Sequence, residues 1–169
     1  MPGFEALGII DVEALAIRPT TEDTAPANGS SISTLIEFKG KRMLLGADAH
    51  PSVLLAGIKQ LHPEGSLEVD VFKLPHHGSA ANVTSDLLDA VNAKTVVLSS
   101  NGAYFKHPDQ TAVARVLKRY KEQGVHLVFN YKSAFNEMWD SDSLRLKWNY
   151  TTEYGVGTEG VTVQLISAV

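Results

Sequence analysis

The sequence predicts an α/β layered fold, and three observations predict it. From Leu67 to Tyr131, β-rich runs alternate with stretches of helical apolar spacing, in the order strand, helix, strand, helix, strand. Before them, Ile32–Phe38 and Arg42–Leu45 are joined by Lys39-Gly40-Lys41, which reads as a hairpin with a glycine at its turn. The chain of 169 residues is 44% hydrophobic and 20% charged, which allows a packed core and excludes wholesale disorder.

Taken in order, Ile9 to Pro19 alternates loosely and reads as a strand, and Thr20 to Ser31 as a polar loop. After the hairpin comes Asp48. Pro51 then opens a helix with Val53, Leu54, Gly57, Ile58 and Leu61 on its inward face. Leu67–Leu74 is a strand that runs into the turn His76-His77-Gly78-Ser79. Thr84 or Ser85 caps a second helix with Leu87, Leu88 and Val91 inward. Thr95–Leu98 has the composition of a strand buried on both faces.

A third helix starts at Pro108 or Asp109, with the stripe Ala112, Val113, Val116, Leu117 and Tyr120. It ends at Gly124, after Lys118, Arg119 and Lys121 have loaded its C-terminal end favourably. Val125–Tyr131 is a further strand. Beyond it, strands are expected near Leu144–Trp148 and Val161–Ile166, with Gly155-Val156-Gly157 as a loop. The α/β pattern thus occupies 1–131, and 132–169 forms a less regular, β-rich tail packed on it or appended to it.

Composition removes several functions. With 15 Lys and Arg against 19 Asp and Glu, the net charge of −4 argues against a broad basic footprint for nucleic acid. It leaves room for a substrate held through bound cations, whose charge dominates a local field. The absence of cysteine excludes disulfides, thiolate ligands and a cysteine nucleophile, and fits a reducing compartment. No apolar run approaches the roughly 20 residues of a membrane span, and the start lacks a basic region followed by an apolar core. A cytoplasmic protein without a membrane partner is the expectation.

Six histidines stand at positions 50, 62, 76, 77, 107 and 126. Adjacent histidines within a strand point to opposite faces, whereas at a turn both can converge on one cleft, and strand ends of α/β sheets are where ligands bind. Asp48 stands at another strand end. Divalent ions are bound by carboxylate oxygen and neutral imidazole, so Asp48, His76 and His77 are candidate metal ligands. Other roles stay open on the residues alone. Asp48 can cap the helix at Pro51, His76 and His77 can bond backbone groups, and His107 can simply precede a helix. His126 and His62 read as structural or surface residues.

Together these residues resemble metallo-β-lactamase-fold hydrolases, and most of all the β-lactamase-like domain of competence DNA-internalisation proteins and their stand-alone relatives. The resemblance runs through Asn28-Gly29-Ser30-Ser31, Leu35 to Gly40, Leu44-Leu45-Gly46-Ala47-Asp48, and Val69 to Ser79 with its Pro75-His76-His77-Gly78-Ser79 turn. It continues through Ser99-Ser100-Asn101-Gly102 to Lys106-His107-Pro108, so it covers roughly Ile9 to Tyr131. It implies half of an αββα sandwich, with Asp48 as a bridging ligand. His76, ahead of His77, is the terminal ligand to two divalent ions, zinc or manganese. His107 is implied as a proton-transferring or substrate-contacting group, and Ser79 and Asn101 as substrate contacts. The implied activity is hydrolysis of a phosphodiester, nucleic acid included.

Two departures stand out. Ala47 replaces the family's glycine before the aspartate, which is tolerated where the backbone needs no positive φ. No His-x-His occurs anywhere, although the family's first half carries His-x-His-x-Asp-His. Two ions that each want four or more ligands are not satisfied by Asp48 and a histidine pair. Metal binding by this chain alone is therefore expected to be weak or absent. Its expected partner is the missing half or a second copy, covering the apolar inner face of the sheet. A non-catalytic interaction module and a hydrolase of a small ester or lactone are the competing functions.

Overall fold

The computed structural model describes residues 10–157 and 160–165. Two short helices come first, α1 (Val12–Ala16) and α2 (Pro26–Gly29), then the hairpin β1 (Thr34–Phe38) and β2 (Lys41–Leu45). Helix α3 (Pro51–Leu61) leads to β3 (Leu67–Lys73), α4 (Ser85–Asp89) to β4 (Val91–Leu98), α5 (Gln110–Tyr120) to β5 (Val125–Phe129), and α6 (Asp142–Trp148) to β6 (Tyr150–Tyr154). All six strands form one sheet in chain order. β1 is antiparallel to β2 and every later pair is parallel, so helices return between successive strands and the fold is mixed α/β.

The core lies where helices cover one face of this sheet. Phe72 of β3, Leu74 just after it, Val96 and Leu98 of β4, and Leu127 and Phe129 of β5 are 0–1% exposed. So are Ala112, Val113, Val116, Leu117 and Tyr120 of α5, whose helical spacing puts them on one stripe. The stripe is anchored by the Tyr120 hydroxyl, which donates to the Val91 carbonyl at 2.9 Å. Beside it Arg115, also buried, donates to the carbonyls of Ala16, Ala80, Val83 and Arg18 and to Thr20 Oγ1 over 2.8–3.3 Å. A guanidinium presents five N–H donors, and here five neutral acceptors take them, tying α1 and two loops to α5.

Several elements differ from expectation for physical reasons. The first segment is not a strand but helix α1, with Val12, Leu15 and Ala16 buried at helical spacing and Asp11 Oδ1 accepting from the Ala14 amide at 3.0 Å; Ile9 lies outside the described residues. Leu144–Trp148 is helix, not strand: Leu144 and Trp148, four apart, are buried, while Leu146 is 86% exposed. Residues 161–165 form no strand, Ile166 lies outside the described residues, and the strand of this region is β6. Val91 belongs to β4 rather than α4. Thr95 and Val97 are only half-buried, so β4 is covered on one face alone. On α3, Leu54 and Ile58 face the core, but Val53, Gly57 and Leu61 face outward.

Asp70 clamps three strands, accepting from the Lys41 ammonium (3.2 Å), the Arg42 amide (3.1 Å) and the Lys94 ammonium (3.0 Å). The Arg42 amide first, then Lys94 and Lys41, hold its carboxyl down at about 2 against the burial that raises it. A depressed carboxylate contributes stability above its ordinary value of 3.8, and that contribution is lost as pH falls toward about 2. Urea unfolding across this window is expected to give a shallower acid-side loss of stability in Asp70→Asn than in the unaltered chain.

Candidate functional site

Parallel pairing places the C-terminal ends of β2, β3 and β4 side by side, and the loops leaving them interlock. The Gly46 amide donates to Lys73 O at 3.0 Å, Leu74 to Val97 O at 3.0 Å, and His76 to Ala47 O at 2.8 Å. A Cβ at Gly46 would stand 2.8 Å from the Pro75 nitrogen, so only glycine lets the two loops approach. This contact brings Asp48 and the histidine pair, distant in sequence, to one edge.

Three consecutive residues of the turn are left-handed. His76, His77 and Gly78 have φ of +43°, +57° and +83°, and Ala47 opposite has φ +48°. Each non-glycine residue held there costs about 1–2 kcal/mol, so the surroundings must impose the shape. They do so through Ser79 N to His76 O (2.9 Å), Asp109 N to Gly78 O (3.0 Å), and Pro108, whose Cβ is 2.9 Å from where a Cβ on Gly78 would be. The positive φ at Ala47 means that an alanine at this position carries a conformational cost that glycine would not.

Hydrogen bonds fix both imidazoles of the pair. His77 Nδ1 is 2.5 Å from Ser99 O, and a carbonyl only accepts, so Nδ1 carries the proton and the neutral ring presents Nε2 as a lone pair. That Nε2 is 3.9 Å from Asp48 Oδ1, too far for a hydrogen bond. His76 Nδ1 is 3.0 Å from Asn82 Oδ1 and 3.3 Å from Asp23 Oδ2. Asn82 is fully buried, and its amide nitrogen already donates to Asp23 Oδ2 (2.9 Å) and Ala49 O (3.1 Å), so its oxygen faces His76. Burial raises the Asp23 carboxyl, but bonds from Asn82, the Ala25 amide and Asn28 outweigh it and hold Asp23 far below the carboxylate range. His76 therefore also keeps its proton on Nδ1 and presents Nε2.

His107 completes the group, its ring centroid 5.6 Å from that of His76. Its Nδ1 is 3.2 Å from Asp109 Oδ1, while Asp109 Oδ2 accepts from the Ala80 amide at 2.8 Å. Burial raises Asp109, yet the His107 bond, the Ala80 amide and the nearby imidazoles keep it lowered, hence an anionic acceptor. Lys73, half-buried at the end of β3, has its ammonium pulled down by burial, while the charge of Asp48 opposes that shift.

The remaining candidates take distinct places. Asp48 does not cap α3; the cap residue is His50, without a side-chain bond, and His50 Nε2 donates to Ala25 O at 2.9 Å. Ser79 is 6% exposed and its hydroxyl accepts from the Ala81 amide at 3.3 Å, within the turn. Asn101 is exposed, its Oδ1 accepting from Ala103 N at 2.9 Å, and it lines a groove of 340 Å³ with His77, His107, Tyr104, Phe105 and Tyr131. His126 bridges β5 to β6 through Thr151 and Glu153, and the His62 amide closes α3. Asp23, Asn82 and Asp109 escaped sequence reasoning as site residues. Asp109 has a local signal, its place before a helix, but its carboxylate reaches another loop.

The donor chemistry suits a divalent ion: a carboxylate and two imidazoles whose other nitrogens are held by a carboxylate and a carbonyl. The number does not. Among the described residues no group of three or more His, Asp or Glu side chains is arranged to hold a metal.

ComE operon protein 3 of Bacillus subtilis is similar in sequence. It is 27% identical over 146 residues, covering 76% of this chain. The match spans 17% of that protein's own length. No family model and no solved structure matches. Among the described residues no helix is long and apolar enough to cross a membrane.

Replacing Ala47 by glycine relieves the left-handed strain, partly offset by the freer unfolded chain, and is expected to stabilise by about 0.5–1 kcal/mol in chemical denaturation. Gly46→Ala, by contrast, must push the two loops apart and is expected to destabilise by about 2 kcal/mol or more.

Proposed function

We propose that this chain is one side of a metal-dependent phosphodiester hydrolase of the metallo-β-lactamase type. It contributes Asp48, His76 and His77 to a metal centre whose remaining ligands come from outside the described residues. The observation that carries this reading is the pair of adjacent imidazoles with both Nδ1 protons committed, to Ser99 O and to Asp23 with Asn82, beside Asp48. Held tautomers of this kind are what metal-binding histidines need. Between the two, His77 is favoured as the partner of Asp48, because its Nε2 is the nitrogen that faces that carboxylate.

Divalent ions held there, zinc or manganese, would supply an acidified water as nucleophile and would offset charge on the phosphodiester. The chain's own residues do the rest. Asp109 orients His107, which takes or returns a proton at Nε2. The exposed amide of Asn101 is free to donate to substrate, and Lys73 offsets phosphate charge beside Asp48. Ser79 closes the turn. The similarity to ComE operon protein 3 supports this family reading over most of the chain, and the motif resemblance to competence DNA-internalisation proteins favours nucleic acid as the phosphodiester.

A non-catalytic interaction module is the second reading, favoured by the short ligand set among the described residues. Metal content and activity of a protein with the complete fold separate them. Zinc titration calorimetry on this chain is expected to give weak binding, without two tight sites. In a protein with the complete fold, Asp48→Ala is expected to lower bound metal together with hydrolysis of a chromogenic phosphodiester. His107→Ala is expected to cut kcat by about 10²-fold at unchanged metal content. Equal activity in the parent and in Asp48→Ala would reject the hydrolase.

A further inference from the structure

The outward half of α3 and the free edge of β1 form a surface unlike the rest of the molecule. Among the described residues, β1 ends the sheet and pairs on one side only, with β2. Exposed edges are normally blunted by charge, proline or a bulge, and the strand Thr34-Leu35-Ile36-Glu37-Phe38 has no proline and one charged residue, Glu37. Ile36 is 39% and Phe38 62% exposed, and Ile32 just before the strand 85%.

Helix α3 flanks this edge with the exposed positions Ser52, Val53, Ala56, Gly57, Lys59, Gln60 and Leu61, of which one is charged. A solvated helix face is normally rich in charge. Val53 and Leu61 are 59% and 69% exposed and stand with Gly57 at four-residue steps on one stripe. Between stripe and strand runs an apolar groove of 350 Å³ lined by Leu35, Leu44, Val53, Leu54, Ile58 and Leu61. The helical pattern of the sequence thus prepares this stripe for burial, and the described residues leave it exposed.

We infer that this surface is a two-fold interface with a second copy of the chain, made by antiparallel pairing of β1 with itself about Ile36. The strand is self-complementary in that register. Ile36 meets Ile36, Leu35 meets Glu37, Thr34 meets Phe38, and Lys39 falls opposite Ser33, so no like charges oppose. Centring the axis on Glu37 instead would set two glutamates against each other, which is destabilising. The pairing also satisfies the edge N–H and C=O groups, and it brings the Val53–Leu61 stripe of both copies to one seam. It is isologous, as expected of a closed dimer, and stands apart from the metal-site reading.

The chain contains no cysteine, so Ile36→Cys adds one thiol per copy. Opposed residues in an antiparallel pair have Cα atoms about 4.5–5.5 Å apart, within disulfide reach, so mild oxidation is expected to link Ile36→Cys into a covalent dimer. Glu37→Cys, off the axis, is expected to link poorly. By sedimentation equilibrium the unaltered chain is expected to dimerise, with Val53→Lys and Gly57→Arg each raising Kd about tenfold or more. A Cβ at Gly57 meets nothing within 4 Å among the described residues, so circular dichroism of that variant is expected to be unchanged. A monomer at every accessible concentration, equal linking at both positions, a dimer indifferent to these charges, or occupation of the edge by another protein's strand overturns the inference.

Discussion

The site depends on a turn that the chain would not adopt alone. Three consecutive residues after β3 are left-handed, two of them histidines, and each carries a local cost. The turn persists because parallel pairing of β2 with β3 sets Gly46 against Pro75, and because the start of α5 holds Gly78 through Asp109 and Pro108. Its consequence is chemical. Side chains that would diverge on a strand are brought to one edge, with ring centroids 6.0 Å apart. Backbone strain concentrated at a cleft with fixed imidazoles is the arrangement expected of a functional site rather than a connecting loop.

Behind the turn, the same scaffold serves packing and positioning together. α5 fills the core with its apolar stripe and carries Arg115, which gathers the carbonyls of the loop after the histidine turn. That loop contains Asn82, whose buried amide fixes both Asp23 and His76. The chain of contacts therefore runs from helix packing to loop position to the orientation of one imidazole. Polar groups buried in such a network hold geometry, because leaving any of them unpaired costs about 1–3 kcal/mol.

Much of the fold was legible in the sequence. Leu67 to Phe129 alternates between strand composition and helical spacing, and the order of elements follows those patterns, although β4 begins at Val91 rather than Thr95. The misreadings came from short segments. Leu144, Leu146 and Trp148 alternate like a strand, yet the helix buries only the two that are four apart. The spacing of Val12, Leu15 and Ala16 behind Asp11 is helical over too few residues to compete with a loose alternation. At the site, the histidine pair was visible as an adjacent couplet at a strand end. Asp23 and Asn82 were not, because their roles arise from contacts between loops far apart in sequence. The strain at Ala47 was equally hidden, since a backbone angle has no signature in composition.

The central claim is that the turn holds both histidines as Nδ1–H tautomers, with the Nε2 of His77 facing Asp48. Long-range proton–nitrogen NMR correlation of the imidazole rings at neutral pH tests it directly. The account predicts protonated Nδ1 and unprotonated Nε2 in both His76 and His77, with the Nε2 resonance of His77 moving first as zinc is added. Rings protonated on Nε2, or averaging between tautomers as in a free peptide, would contradict it.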